Sequence, residues 1–309
     1  MKLYLLIFSV LFTFSNLTLF AQQNKLLTHF IFDKMSVNPG ATGVGMSDGI
    51  CGTSIFRNQW NRVAGAPNSG LLNAEGNFSR YFNGGVGMSF YHDAIGNFRQ
   101  NNLVLNYSYH LELGDGLMGI GLGLGMVSYG VQGDWLTPDD NPDDPSLPQQ
   151  VTEVNLDGNF GVYYLHNKGW YGGISSTHIP AAELDLVNVQ TARHYFLMGG
   201  YRYNKAFDVE ELALDFNAMA RTEFIEFSYD LNVRAIWDNM FWGGMTFRAD
   251  DAIGLMAGIE FKNFIVGYSY DISTNALATV SRGSHEILFK YCYLLPPPAI
   301  TKSRNPRYL

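Results

Sequence analysis

The sequence predicts an all-β protein: a transmembrane antiparallel β-barrel of about 14 strands with both termini in the periplasm. Three observations predict it: apolar and polar residues alternate along most of the chain, short and long links follow each other, and the first residues resemble an export signal. The 309 residues are 47% hydrophobic and 15% aromatic, and only 16% are charged. Charged residues are therefore scarcer than the roughly 25% of an ordinary soluble domain.

Residues 1–21 have the pattern of a secretory signal peptide. They carry one lysine, a long apolar stretch and a final alanine, which predicts cleavage after Ala21; a signal anchor is the alternative. Removing this segment removes one positive charge (Lys2) and no acid, so the net charge changes from −8 to −9. An acidic exported chain is a poor nucleic-acid binder, because such binding needs concentrated Lys and Arg.

Period-two alternation is clearest in residues 101–113, NNLVLNYSYHLEL. Leucines and tyrosines fall on one face, and mostly Asn, Ser, His and Glu fall on the other. Successive strand side chains point to opposite faces, so this segment is a strand with one apolar and one polar face. Residues 117–131 fit the same pattern and make a poor helix, because glycine occupies every second place from 119 to 125.

Fourteen such segments follow one another, near 50–60, 70–80, 84–93, 100–113, 117–131, 153–166, 169–177, 193–204, 209–221, 224–237, 240–249, 252–261, 263–273 and 283–295. A soluble β-sandwich is the competing interpretation. These segments are longer than ordinary strands, and their polar faces carry charges, which favours an apolar outside around a polar inside. In lipid such a sheet must close on itself, because every backbone polar group needs a partner.

Link lengths and aromatic residues predict the orientation. The links after even-numbered segments are short, and several of the links after odd-numbered segments are long. In outer-membrane barrels the periplasmic turns are short and the external loops are longer. Aromatic residues at the short-link end predict an interfacial girdle there. They are Tyr107, Tyr109, Tyr163, Tyr164, Trp170, Tyr201, Tyr203, Trp237, Trp242, Tyr291 and Tyr293.

Glycines on the predicted inner face suggest that other backbone comes close to the wall. They are Gly85, Gly87, Gly119, Gly121, Gly123, Gly125, Gly254 and Gly258. We therefore expect residues 22–49 to lie in the periplasm or pack into the lumen, and residues 50–295 to form the barrel. Residues 296–309 are expected to form a periplasmic tail, because three prolines cannot continue a paired strand.

Charged side chains on the predicted inner face carry both signs, which favours structural pairing across the lumen over a selectivity filter of one sign. They are Glu112, Asp215, Arg221, Glu226, Asp230, Arg234, Arg248, Glu260, Asp271, Glu286 and Lys290. The two cysteines, Cys51 and Cys292, lie on the first and last strands. The predicted register turns Cys51 outward and Cys292 inward, so both are expected to be free thiols.

Three motifs, VNPGATG at 37–43, FRNQW at 56–60 with GAPNS at 65–69, and GSHEI at 283–287, occur in the order found in the PorP/SprF family, which the chain resembles over its whole mature length. That family belongs to the type IX secretion and gliding-motility apparatus of Bacteroidetes. The resemblance implies an outer-membrane accessory component. It also implies a periplasmic peptidoglycan-binding partner and a secreted cargo or adhesin with a C-terminal signal domain.

Two clusters are candidate partner or structural motifs: Arg57, Asn58, Gln59 and Trp60, and Gly283, Ser284, His285 and Glu286. The first is interpreted either as a partner-docking cluster, with Arg57 as a charge-assisted donor, or as a rim anchor. The second contains Ser, His and Glu side by side. In a strand, however, the histidine points away from both neighbours, which argues against a catalytic triad.

We therefore expect a non-enzymatic outer-membrane protein with no cofactor and no metal, in contact with outer-membrane lipid. The acidic loop 139–145 is expected to be solvated and not to bind Ca²⁺, because its prolines and missing glycine depart from an EF-hand loop. Alternatives are a passive porin-like channel for small solutes and, more remotely, a membrane-bound hydrolase.

Overall fold

A computed structural model describes residues 25–133, 150–181, 183–184 and 189–296. Fourteen of its strands form one closed antiparallel barrel, in which each strand pairs with the next along the chain and the last pairs with the first. The strands are β1 Gly49–Asn58, β2 Asn68–Asn77, β3 Gly84–Ile95, β4 Phe98–Leu113, β5 Gly116–Val131, β6 Val151–His166, β7 Trp170–Thr177, β8 Glu183–Leu184, β9 Val189–Gln190, β10 His194–Tyr203, β11 Leu212–Thr222, β12 Phe227–Trp237, β13 Phe241–Arg248, β14 Ala252–Phe261, β15 Phe264–Ser273 and β16 Ser284–Leu294.

The predicted fold class is confirmed, and all fourteen predicted strands are present. Two short strands, β8 and β9, pair only with each other and were not predicted. Residues 224–226, predicted as the start of a strand, lie outside one, because β12 begins at Phe227. No helix among the described residues is long and apolar enough to span a membrane.

Alternation along the strands separates an apolar outer face from a buried inner face. On β4 the side chain of Leu105 is 60% exposed, whereas its neighbour Asn106 is 4% exposed. On β12 Leu231 faces out, whereas Asp230 and Asn232 are buried. The outer face therefore presents leucine, valine and aromatic side chains to lipid, as a transmembrane barrel requires.

The barrel has two distinct ends, defined here by its chain connections. The terminal end carries the start of β1, the end of β16 and tight turns such as Gly114–Asp115 and Lys262–Asn263. The loop end carries the longer connections, among them residues 59–67 and 274–283. This distribution matches periplasmic turns at the terminal end and external loops at the loop end.

Residues 25–48 lie inside the barrel and form two short 3-10 helices, Phe30–Phe32 and Pro39–Ala41. We call this stretch the luminal segment. A Cβ on Gly40 would lie 2.8 Å from the carbonyl oxygens of Gly119 and Gly161 on the wall. Backbone thus packs directly on backbone, which only glycine permits. The division of the chain at residues 21 and 295 stays a prediction.

Apolar residues of the luminal segment pack against the inner wall. Leu27 and Phe30 join one buried cluster with Ile55, Leu71 and Leu288, which project inward from β1, β2 and β16. The inner face of these strands is therefore partly apolar, and this is why their register is ambiguous in the sequence.

The predicted free thiols are wrong: Cys51 and Cys292 form a disulfide. The two residues are direct partners in the β1–β16 pairing, so both side chains project to the same, inner face. The error came from the β1 register, in which Cys51 was turned outward. The disulfide covalently joins the first and last strands near the terminal end.

Two members of the predicted aromatic girdle also belong inside. Tyr163 and Trp242 are buried, in contrast to exposed girdle residues such as Trp170 and Trp237. Trp242 packs on His29 and Phe32 of the luminal segment, with ring centroids 6.0 Å and 5.2 Å away. The luminal segment creates an apolar environment in the lumen that a water-filled barrel would lack.

Candidate functional site: the barrel seam and the luminal segment

The two candidate motifs lie side by side at the loop end of the β1–β16 seam. Arg57 is the direct strand partner of Glu286, and Asn58 is the partner of His285. Just beyond the strands, the backbone N–H of Trp60 donates to Ser284 Oγ at 3.1 Å. Sequence reasoning named both motifs but did not place them in contact.

The side chains of these motifs point to opposite faces of the wall. Arg57, Ser284 and Glu286 are buried inside, whereas His285 projects outward, with its Nδ1 2.6 Å from the Tyr268 hydroxyl. Ser284 and Glu286 are therefore separated from His285 by the sheet, so the three do not form a triad. Gln59 is buried too, and Gly283 has a φ of +76°, a conformation that favours glycine.

Glu286 holds the start of the luminal segment. Its carboxylate accepts the backbone N–H groups of Thr28 and His29 at 2.9 and 2.8 Å. The same carboxylate lies 2.7 Å from His29 Nδ1 and accepts from Arg57 Nη1 at 3.1 Å. Four charge-assisted contacts thus converge on one fully buried carboxylate.

Asp271 extends this anchor to the next strand. Its carboxylate accepts the Thr28 hydroxyl at 2.7 Å and pairs with Arg57 Nη1, also at 2.7 Å. Thr28 is therefore held through both its backbone and its side chain. These contacts all lie inside the barrel, where the Arg57 side chain is buried.

Buried ion pairs continue along the wall from this anchor. Arg248 Nη1 lies 3.7 Å from Asp271, and Arg248 Nε donates to Asp230 at 2.9 Å. Asp230 also accepts from Arg221 at 2.9 Å. The sequence predicted pairing across the lumen. The structure instead pairs charges on strands that are adjacent or one strand apart, because the luminal segment fills the space between opposite walls.

A second cluster lies nearer the terminal end. Asp215 accepts from Arg202 Nε at 2.6 Å and also pairs with Arg234. The Arg234 guanidinium lies over the ring of Phe32, 4.8 Å from its centroid. This is a cation–π contact that fixes the middle of the luminal segment. Arg202 was not among the predicted inward charges.

Polar contacts then follow the luminal segment to the terminal end. Ser175 Oγ donates to the carbonyl of Val37 at 2.6 Å. The His110 ring lies 2.9 Å from the Thr42 carbonyl through Nε2. Near the exit, the Asn77 amide donates to the Met46 carbonyl at 2.8 Å. These contacts satisfy backbone groups that would otherwise be buried without partners.

Some predicted features do not join the site. Glu112, Glu226 and Glu260 are exposed, and the side chain of Glu226 lies in the turn before β12. The acidic loop 139–145 and the tail from residue 297 lie outside the described residues. Within the described part of the chain, no group of three His, Cys, Asp or Glu side chains is placed to hold a metal ion.

Thr28 and His29 are the functional residues that the sequence reasoning missed. Nothing in the local pattern marks them, because the anchor joins residues more than 200 positions apart. The signal that could have found them is indirect. A barrel wall with many inward charges of both signs needs partners, and the residues that precede β1 can supply them.

The closed barrel, its apolar belt and its filled lumen define an outer-membrane β-barrel protein. The family model for the type IX secretion system membrane protein PorP/SprF matches residues 19–291, and the chain belongs to this family. The chain is therefore a type IX secretion system protein of the outer membrane.

Solved structures of other proteins are similar to this chain. The toluene transporter TbuX of Ralstonia pickettii is 9% identical with a TM-score of 0.54, and the alignment covers 85% of this chain and 93% of that one. The outer membrane protein Omp33 of Acinetobacter baumannii is 8% identical with a TM-score of 0.46, over 81% of this chain and 100% of that one. A comparison with curated proteins finds no match to this chain.

Proposed function

We propose that this protein is a non-enzymatic accessory component of the type IX secretion and gliding-motility apparatus. It supports the secretion or surface attachment of cargo through periplasmic and surface partners, and cargo does not pass through its lumen. The proposal is carried by the position of the luminal segment inside the barrel. This segment contacts Glu286 at the loop end and His110, on the inner wall, near the terminal end. A barrel that passed cargo through its lumen would have to break these buried contacts each time a cargo molecule crossed it.

Its cargo is a protein or adhesin with a C-terminal signal domain, and its periplasmic partner is a peptidoglycan-binding component. Residues 296–309 are the proposed contact for that partner, because they follow the last strand and include Lys302, Arg304 and Arg307. Basic side chains on a short tail suit an acidic docking surface.

Affinity purification of the tagged full-length chain from native outer membranes tests this proposal. We expect a periplasmic peptidoglycan-binding protein to co-purify, and we expect a chain truncated after Pro298 to lose it. A matched control replaces Lys168, Lys205 and Lys262, which lie on terminal-end turns, with serine and keeps the partner. A barrel that purifies alone, in cells whose cargo secretion does not depend on it, would contradict the proposal.

The alternative is a passive channel for small solutes. Planar-bilayer conductance separates the two functions, since a channel conducts with the luminal segment in place. Catalysis has no support in the arrangement of Ser284, His285 and Glu286, whose side chains lie on opposite faces of β16.

A further inference from the structure

A cavity of about 210 Å³ lies at the loop end of the barrel, where β1 and β3 end and β2 and β4 begin. Its wall is formed by the connection between β1 and β2, residues 59–67, and by the tight turn between β3 and β4. The motifs FRNQW and GAPNS meet here. Arg57 of the first motif anchors the luminal segment, and the residues that follow it in the same motif line the cavity.

Hydrogen bonds hold the wall of this cavity in place. The backbone N–H of Gly96 donates to the carbonyl of Gly65 at 2.9 Å, which joins the β1–β2 connection to the β3–β4 turn. The backbone N–H of Asn61 donates to the carbonyl of Gly283, just before β16, at 2.8 Å. The connection is therefore fixed to two neighbouring elements and gives the cavity a defined shape.

Two residues of the wall have a left-handed backbone although they are not glycines. Trp60 has a φ of +50° and Arg62 a φ of +75°. This conformation is unfavourable for residues with a side chain, and it persists only where the surrounding structure imposes it. Such residues cluster at binding sites and active sites. The strained connection places both side chains at the cavity.

The cavity is basic, although the chain is acidic. Among the described residues that line it, two are arginines, Arg62 and Arg99, and none is acidic, whereas the whole chain has a net charge of −8. Within the described part of the chain, neither arginine pairs with a carboxylate. Arg99 donates instead to Gln132 Oε1 at 2.8 Å and to backbone carbonyls. Two guanidinium groups in one small cavity favour an anion between them.

A hydrogen-bond donor without a partner belongs to the same wall. Gln59 lines the cavity and is only 5% exposed, and its Nε2 atom makes no hydrogen bond within the described part of the chain. A buried donor without a partner costs free energy that an acceptor bound beside it would restore. The neighbouring carboxamides of Asn58 and Asn68 are already paired with each other at 2.6 Å. Gln59 is therefore the amide that a ligand would satisfy.

We propose that this cavity binds a phosphate monoester, held by Arg62 and Arg99 with Gln59 Nε2 as a further donor. A phosphate monoester carries a charge of about −1.5 to −2 at neutral pH and has three acceptor oxygens. It therefore matches two guanidinium groups and an amide better than a carboxylate does, which carries a single charge. Arginine suits these oxygens because it can donate two parallel hydrogen bonds.

The phosphate belongs either to a soluble molecule or to the headgroup of a lipid in the leaflet at the loop end. The site does not depend on the proposed role in secretion, because it uses none of the contacts of the luminal segment.

A titration with inorganic phosphate, followed by phosphorus NMR, measures binding to the full-length protein in maltoside detergent. We expect saturable binding that an equal concentration of acetate does not displace. The double variant Arg62→Gln, Arg99→Gln should weaken it about tenfold or more, because hydrogen bonds between charged groups are lost. Gln59→Met removes the amide at similar volume and should weaken it about fivefold.

The matched control, Arg193→Gln with Lys168→Gln, removes two positive charges at exposed sites away from the cavity and keeps the wild-type affinity. Heat-modifiable migration on gels first shows that every variant folds. Phosphate binding of wild-type strength in the double variant, or equal displacement of phosphate by acetate, would overturn the proposal.

Nanodiscs identify the source of the phosphate. The protein is reconstituted in phosphatidylcholine that contains a minor fraction of phosphatidic acid, whose headgroup is a phosphate monoester, and retained lipid is identified by native mass spectrometry. Phosphatidic acid retained by the wild type and the control but lost from the double variant supports a lipid headgroup. Equal retention in all three, together with binding of inorganic phosphate, supports a soluble ligand. A wild-type protein that binds neither form would overturn the proposal.

Discussion

Glu286 is the residue on which the interior most depends. It accepts hydrogen bonds from two backbone N–H groups and from Arg57, and it lies against the His29 ring, with no exposure to solvent. A buried carboxylate is costly unless every acceptor site is used, and here the luminal segment supplies most of the donors. The luminal segment and the barrel wall therefore stabilise each other.

Replacing Glu286 with glutamine should destabilise the barrel by about 2–4 kcal/mol, because it leaves Arg57 with a weakened set of partners in the interior. The free energy of unfolding, measured by urea titration in detergent, checks this. The control Glu260→Gln makes the same change at an exposed site and should stay within about 0.5 kcal/mol. Equal free energies of unfolding for the two variants would show that the buried network around Glu286 does not stabilise the barrel.

Gly121→Ala tests the contact between backbone and wall. A Cβ at residue 121 would overlap the backbone of Pro39, so the luminal segment must shift. We expect a loss of about 1–3 kcal/mol and faster proteolysis within residues 25–48. Gly70→Ala is the control, since a Cβ there has no neighbour within 4 Å. Proteolysis unchanged from wild type in Gly121→Ala would contradict the packing.

At the scale of elements, the β1–β16 seam is held at both ends. The Cys51–Cys292 disulfide joins it near the terminal end, and the Arg57–Glu286 pair joins it near the loop end. A seam tied in this way resists separation of the first and last strands.

The double variant Cys51→Ser, Cys292→Ser should unfold with a free energy about 2–4 kcal/mol lower than wild type, as for other long closed loops. The first check is alkylation of the denatured chain without reductant, which should add no mass. Wild-type protein treated with reductant should match the variant in urea titration. Alkylation of both cysteines before reduction would refute the disulfide.

The strands differ in how clearly their sequence predicts which side chains face the lumen. β4 and β12 alternate cleanly, so their faces were predictable from residues such as Leu105 and Asp230. β1 carries apolar side chains on both faces, with Phe56 outside and Ile55 inside, and its register was therefore not determined. Tyr163 and Trp242 were misplaced for the same reason: the lumen is apolar where the luminal segment packs.

For the whole molecule, the number of strands, their antiparallel order and the orientation of the barrel's two ends could be predicted from the alternation of residues and from the link lengths. The site could be predicted only in part. Arg57 and Glu286 were named from their motifs, but their common partner, Thr28, lies on a segment with no periodic pattern. Contacts between such distant residues depend on barrel closure, which brings β1 beside β16.

Single-channel conductance in planar bilayers tests the central claim, a barrel filled by its own N-terminal segment, most directly. The wild-type protein should give little or no conductance, and a variant lacking residues 24–45 should give stable open steps, because the deletion removes most of the chain inside the lumen. Equal conductance of the wild-type and deleted proteins would contradict the claim.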